Sequence, residues 1–255
     1  MALFTDGAIS SIENLTDQDS SVLEVSNVEG INLTTKLALA KEEIGIELTS
    51  LFQRYRTNTF PVTGQPVLDL QHVAITTPVR LWHTYQTLTM VYRDAYYNQL
   101  NDRYRGKWDE YRSLAKWAQN KLLETGVGVV FDPVPQALAP VLTAVSGTGT
   151  GGTLFVSVSF LNAKAEEGSA SDVTSIILAP NQAISIGAAA APVNAQSWNV
   201  YVGGDPTQLA LQNVTPLDLL ANWVYSTATA QAGRQPGSGQ APNFTRQLPR
   251  MLQRG

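Results

Sequence analysis

Few residues in this chain are of a type and spacing that could do chemistry. It holds two histidines, His72 and His83, and no cysteine. Disulfide staples, thiolate metal ligands and a cysteine nucleophile are therefore excluded. Neither histidine has a second histidine or a glutamate three or four residues away, the spacing that sets two ligands on one helical face. No metal site and no cofactor is expected. His72 reads as a loop-end residue. His83, beside Trp82 in a helical segment, reads as a hydrogen-bonded surface or interface residue. The run Gly147-Thr148-Gly149-Thr150-Gly151-Gly152 has the form G-x-G-x-x-G. A dinucleotide site needs a helix after such a run, because the helix N-terminus holds the pyrophosphate. A strand pattern follows here, so a hairpin loop is expected. Glu166-Glu167 is the only adjacent acid pair near a turn glycine in the second half of the chain. Adjacent side chains point apart and make a poor catalytic couple, so a solvated turn is expected. No nucleophile with a base, and no convergent acids, can be named; the chain does not read as an enzyme.

Two stretches are better suited to binding. Residues 77–125 mix three tryptophans and six tyrosines with eight basic residues. Aromatics interleaved with arginine can stack on single-stranded nucleic acid. Here, however, they follow a helical stripe, and Asp94, Asp102, Asp109 and Glu110 interrupt the charge. Trp82, Tyr92, Tyr96, Tyr104, Trp108 and Trp117 are read instead as core and subunit-interface residues, since such side chains dominate protein interfaces. The second stretch is Gln231 to Gly255. It has four arginines, no acid, three prolines and four glycines, a composition without helical or strand period. It also carries apolar residues that a solvated tail does not need. Arg234, Phe244, Arg246, Leu248, Arg250, Met251, Leu252 and Arg254 are expected to form an arm that becomes ordered on a partner.

Charge is divided along the chain. The net charge is -6 over residues 1–76, +3 over 77–125, -5 over 126–230 and +4 over 231–255. An acidic body argues against holding nucleic acid by phosphate neutralisation. The N-terminus has no basic segment followed by an apolar run, so no secretory signal is expected. No stretch is long and apolar enough for a membrane span. Asn-x-Thr triplets at Asn14, Asn32, Asn213 and Asn243 carry no meaning as glycosylation sites without secretion.

The elements that must position these residues fall into two halves. Thr16-x-x-Asp19 resembles a capping box ahead of Val22, Leu23 and Val25, with Gly30 as the stop. Asn32 is placed to cap a helix with Leu37, Ala40, Ile44, Leu48 and Leu51 on one face. Residues 57–76 read as an extended loop. Thr77-Pro78 opens a third helix, a break falls near Asn101-Asp102, and a fourth helix ends before Gly126. Four striped helices predict a small bundle over residues 1–130. Beyond Pro135 charge becomes sparse and strand patterns take over. Candidate strands are 139–146, 154–160, 173–179, 183–187, 197–203, 208–214 and 222–228. They predict an antiparallel β-sandwich over 136–230, similar to a fibronectin type III or immunoglobulin fold without its disulfide, with Trp198 and Tyr201 as core and corner residues. The fold class is α+β, multidomain, with an extended C-terminal arm over 231–255.

Several segments resemble head–tail adaptor proteins of tailed bacteriophages. They are Leu3-Phe4-Thr5-Asp6-Gly7, Ile12-Glu13-Asn14-Leu15, Leu81-Trp82-His83-Thr84-Tyr85, Tyr92-Arg93-Asp94-Ala95-Tyr96 and Leu100-Asn101-Asp102-Arg103-Tyr104. Lys116-Trp117-Ala118, Thr125-Gly126-Val127-Gly128 and the final Leu252-Gln253-Arg254-Gly255 continue the likeness. The resemblance implies a virion neck protein, made in the host bacterial cytoplasm, that forms a ring of roughly twelve copies beneath the portal. The helical part would form the ring wall and the arm 231–255 would reach the portal protein ring. Tail or nozzle proteins would bind on the other side, and DNA would pass through the channel without specific binding. An acidic wall would suit that passage. The rival expectation is a tail or baseplate component whose β-sandwich binds host surface polysaccharide, which would need exposed aromatics among Phe155, Phe160, Trp198, Tyr201, Trp223 and Tyr225.

Overall fold

The computed structural model describes residues 1–58, 68–99, 102–225 and 232–247, except for the side chains of 55–58 and 99. It is an α+β chain with five α-helices and several antiparallel sheets among the described residues. Two compact units are present. One joins Met1–Asp6 to Asp132–Ala241; the other joins Gly7–Phe131 to the chain from Pro242 onward. The expected partition was 1–130, 136–230 and 231–255. The observed one assigns the first six residues to the β-rich unit and divides the C-terminal segment between both units.

In the helical unit the helices are α1 (Ile12–Gln18), α2 (Val22–Val28), α3 (Leu33–Asn58), α4 (Thr77–Gln99) and α5 (Arg105–Thr125). The single helix expected before Gly30 is two short ones. The capping box is not Thr16 with Asp19 but Ser11 with Asn14: Asn14 N donates to Ser11 Oγ at 3.4 Å and Ser11 N donates to Asn14 Oδ1 at 3.0 Å. Thr16 lies inside α1, its hydroxyl donating to Glu13 O at 2.9 Å. Asp19 ends α1, and its carbonyl accepts from Val22 N at 3.1 Å at the turn into α2. The stop at Gly30 is found: Ile31 N donates to Ser26 O at 2.8 Å, the six-to-one bond of a Schellman motif. Asn32 caps α3 through Thr35 N at 3.1 Å.

Helix α4 is central. Helices α1, α2, α3 and α5 all contact it, and Trp82, His83, Thr84, Tyr85, Thr87, Leu88, Met90, Val91 and Tyr92 are buried. A helix covered on most sides must satisfy its polar side chains internally. Thr84, Thr87 and Thr89 do so by donating to the carbonyls of Arg80, His83 and Tyr85, four residues back, at 2.7–2.9 Å. Helix α5 ends at Gly126, whose φ is 91°. A Cβ there would stand 2.9 Å from the carbonyl carbon of Arg246, so this stop also leaves room for a returning strand. That strand, β10 (Phe244–Arg246), pairs antiparallel with β1 (Val127–Val129), Val127 opposite Arg246.

In the β-rich unit, β2 (Val141–Ser146), β5 (Gln182–Gly187) and β9 (Trp223–Tyr225) form one sheet. The second has the order β4 (Thr174–Leu178), β3 (Gly152–Leu161), β6 (Ser197–Gly203) and β7 (Ala210–Leu211), with β8 (Leu217–Asp218) also on β6. All pairings are antiparallel. Alternation on β3 and β6 sends Val156, Val158, Phe160, Trp198, Val200 and Val202 into one core cluster with Ile184 and Ile186 of β5 and Tyr225 of β9. The other face of β3 and β6 carries Ser157, Ser159, Asn199 and Tyr201, and these too are buried.

The glycine run 147–152 is not a hairpin loop. It joins β2 to β3, strands that belong to different sheets. It packs on the β4–β5 connection, and a Cβ on Gly149 would come within 2.3 Å of Gln182 O. The run allows close backbone approach.

Candidate functional site

Two carboxylates and a histidine are engaged by internal partners. Asp19, where α1 hands over to α2, has 3% of its side chain exposed. Its Oδ1 accepts from Ser21 N at 3.0 Å and Ser21 Oγ at 2.6 Å. Its Oδ2 accepts from Tyr92 OH at 2.6 Å, Tyr111 OH at 2.9 Å and Lys107 Nζ at 3.0 Å. The Tyr92 and Tyr111 rings stack at 5.5 Å, and the Lys107 ammonium lies 5.4 Å from the Tyr111 centroid. Burial alone would raise the Asp19 carboxyl pKa. The hydrogen bonds from Ser21, Tyr92 and Lys107 outweigh it and hold the pKa well below its ordinary value. Burial, reinforced by donation to that carboxylate, pushes Tyr92 and Tyr111 far above the usual phenol range. A cleft of about 200 Å³ lies beside this cluster, lined in part by Glu24, Arg103, Tyr104 and Lys107.

Glu167 is the counterpart in the β-rich unit. It accepts from Ser159 Oγ, Tyr201 OH, Asn199 Nδ2 at 3.2 Å and Arg234 Nη1 at 2.7 Å. Its neighbour Glu166 accepts from Asn162 Nδ2 at 2.7 Å and Gln240 Nε2 at 3.3 Å. The solvated turn expected for this pair is therefore corrected. Burial raises the Glu167 pKa, and the donors, Ser159 and Tyr201 foremost, bring it below the ordinary 4.5. Burial and that same bond raise Tyr201. Each carboxylate accepts from residues of more than one segment, which suits fastening the chain.

The histidines also find structural partners. His72 Nδ1 donates to Asp69 Oδ1 at 2.7 Å and steadies the 3₁₀ turn Leu70–His72. His83 is not at a surface. It is 1% exposed, and its Nε2 donates to Leu37 O at 2.9 Å. Desolvation pushes its pKa down to about 4. Its Nδ1 has no partner among the described residues, the arrangement of a neutral imidazole held in a core. Among the described residues no group of three or more acids or histidines could hold a metal ion.

The six aromatic interface candidates separate. Trp82, Tyr92 and Tyr104 are 5%, 1% and 5% exposed and pack within their own unit. They have little surface to offer a neighbour. Tyr96 and Trp108 are half-buried and stack at 5.8 Å, with Tyr97, 57% exposed, on their edge. Trp117 is 47% exposed. These are the ones that remain available.

The C-terminal segment, expected to gain order only on a partner, is placed by its own chain over 232–247. Arg234 reaches Glu167 and lies 6.0 Å from the Tyr201 centroid. Gln240 is buried, accepting from Val134 N at 2.6 Å and donating to Asp132 O at 3.0 Å. Phe244 packs on Phe131 at 5.0 Å, and Asn243 bonds Phe131 N and Val129 O. Arg246 sits in β10. Leu248, Arg250, Met251, Leu252 and Arg254 lie outside the described residues.

One further feature of the helical unit is open. A cleft of about 420 Å³ runs between α3 and α5 over α4. Its floor includes Ile44, Trp82 and Ala115; Glu43 and Glu47 stand on the α3 side, Arg112 and Lys116 on the α5 side. Ile46, on the rim, is 70% exposed. In comparisons with protein-family models, curated proteins and solved structures, nothing matches this chain.

Proposed function

We propose that this chain is a structural adaptor of a tailed-phage neck, without enzymatic activity. It assembles as a ring of roughly twelve copies below the portal, extends the DNA channel and joins head to tail. In this reading the helices form a bundle in the ring wall, and the two sheets form a fibronectin- or immunoglobulin-like β-sandwich. The observation that carries the reading is where the resemblance to such adaptors falls. Trp82, His83, Thr84, Tyr85, Tyr92, Ala95 and Tyr104 are all buried in the helical unit, so the likeness is one of scaffold and not of a reactive site. The engagement of Asp19 and Glu167 by several internal donors is in keeping with a scaffold. No described helix is long and apolar enough to cross a membrane. The rival, a sugar-binding tail component, keeps few of the aromatics it requires: Phe160, Trp198, Tyr201 and Tyr225 are buried, and Phe155 and Trp223 are half-buried.

Portal docking falls to the end of the chain, since 232–247 is already built into the two units. The test is binding to the portal ring of the same phage, full chain against a chain ending at Gln247, which keeps every described contact. The full chain is expected to bind in a copy number matched to the portal, and the shortened chain to bind at least about tenfold more weakly once avidity is lost. Failure of the full chain to bind would reject the adaptor reading.

A further inference from the structure

The chain beyond Gln247 has eight residues, Leu-Pro-Arg-Met-Leu-Gln-Arg-Gly, at positions 248–255. Its starting point is set. The register of β10 on β1 fixes Arg246, and Gln247 Nε2 lies 3.5 Å from Glu124 O, at the C-terminal end of α5. The α3–α5 cleft is lined by residues of that same helix: Gln119, Lys116 and Arg112. At the helical rise these lie about 8, 12 and 18 Å back from Glu124. Eight residues can span about 26–29 Å. The tail is therefore long enough to follow α5 along the cleft.

The chemistry agrees. The cleft has an apolar floor at Ile44, Trp82 and Ala115, and Ile46 stands largely uncovered at its rim. The tail brings Leu248, Met251 and Leu252 as apolar groups, and Arg250 and Arg254 with no acid. The acidic wall of Glu43 and Glu47 complements those arginines, while Arg112 and Lys116 on the other side repel them. That asymmetry directs the tail's charge toward α3. Glu43 already accepts from Gln86 Nε2 at 2.7 Å, and a carboxylate has capacity for a further, charge-assisted donor.

We infer that residues 248–255 dock in the cleft between α3 and α5 of their own chain, apolar side chains over Trp82 and Ile46 and arginines toward Glu43 and Glu47. The inference does not rest on the adaptor reading and needs no portal. If both hold, the cleft keeps the tail until a surface that binds it more tightly takes it over.

The absence of cysteine allows a test without background. A chain carrying Ile46→Cys with Gln253→Cys is oxidised mildly and compared with one carrying Glu13→Cys with Gln253→Cys, the first position being outside the cleft. Ile46 and Glu13 are exposed, and circular dichroism checks that the fold is kept. The expected result is an internal disulfide in the first chain, seen as a monomer of faster mobility on a non-reducing gel. It should form about tenfold faster than in the second chain, and the advantage should fall in high salt or on adding Glu43→Lys and Glu47→Lys. Disulfide-linked dimers without the internal bond would overturn the inference in favour of a second copy as occupant. Equal rates in the two chains would overturn docking in the cleft altogether.

Discussion

The helical unit and the β-rich unit each hold a carboxylate under four or more donors, yet they use it differently. Asp19 gathers Ser21, Tyr92, Tyr111 and Lys107, binding the start of the unit to α4 and α5. Two of its donors are buried phenols, and the carboxylate is almost fully covered. Glu167 lies over the polar face of β3 and β6 and also takes Arg234, whose side chain is 54% exposed. The first arrangement is a closed core cluster. The second is a fastening on the polar face of a sheet, where the returning C-terminal segment is tied down. The difference shows that donor count alone does not set the energetic weight of a buried carboxylate. What matters is how many of its partners would be left buried and unpaired without it.

That contrast can be broken most directly at Asp19. Asp19→Ala leaves the buried Tyr92 and Tyr111 hydroxyls with only their weaker contacts to Ser21 Oγ and Gln18 O and the half-exposed Lys107 without its carboxylate, so a loss of about 3 kcal/mol from the helical unit is expected. Urea unfolding followed by far-ultraviolet circular dichroism would measure it. A loss below about 1 kcal/mol would show that the cluster is hydrated and not a core feature.

Acid should separate the two units next. Both histidines belong to the helical unit. His83 takes up a proton at its ordinary 6.5 when unfolded but only near pH 4 when folded. Between those values the unfolded state binds more protons, so stability falls as pH is lowered, by about 3 kcal/mol over the full window. Asp19 extends the loss to lower pH, because its depressed pKa contributes stability that is present above its ordinary 3.8 and disappears as pH falls through the folded value. In the β-rich unit the corresponding loss starts only near the ordinary 4.5 of Glu167. Unfolding between pH 7 and 5 should therefore weaken helical signals first, and His83→Gln should flatten that slope. A helical unit equally stable at pH 7 and 5 would contradict the buried neutral imidazole.

The smallest effect sharpens the description of that fastening. Arg234→Ala removes a largely exposed ion pair and should cost less than about 1 kcal/mol. Glu167→Ala, which strands Ser159, Asn199 and Tyr201 as well, should cost about 2–3 kcal/mol. Fluorescence of Trp198 and Trp223 reports this unit. Equal losses for the two variants would mean that Arg234 carries the whole cluster.

Much of the element order was legible from local pattern. The Asn32 cap, the start at Thr77, the stops at Gly30 and Gly126 and the alternation from Leu154 to Phe160 depend on neighbours within a few residues, and all are found. The division before Asp19 was misjudged because Ser11-x-x-Asn14 and Thr16-x-x-Asp19 are both acceptable boxes locally. The choice between them is made by Tyr92 and Tyr111, more than seventy residues away. The candidate site was less legible. Glu167 looks like a turn acid in sequence, and nothing near it announces Tyr201 or Arg234. The basic, proline-bearing C-terminal segment has no period, so the pairing of Phe244–Arg246 with Val127–Val129 could not be anticipated.

By itself, the sequence determined the helix and strand periods, the caps and stops, the absence of thiol chemistry and the division of charge, because each depends on residue type and short spacing. Only the tertiary structure decided that Asp19, Glu167 and His83 are interior groups, that three of six aromatic candidates are core, and that the chain from 232 to 247 is fastened to its own units. Those outcomes depend on partners distant in sequence, whose desolvation and donor geometry exist only once the chain has closed on itself.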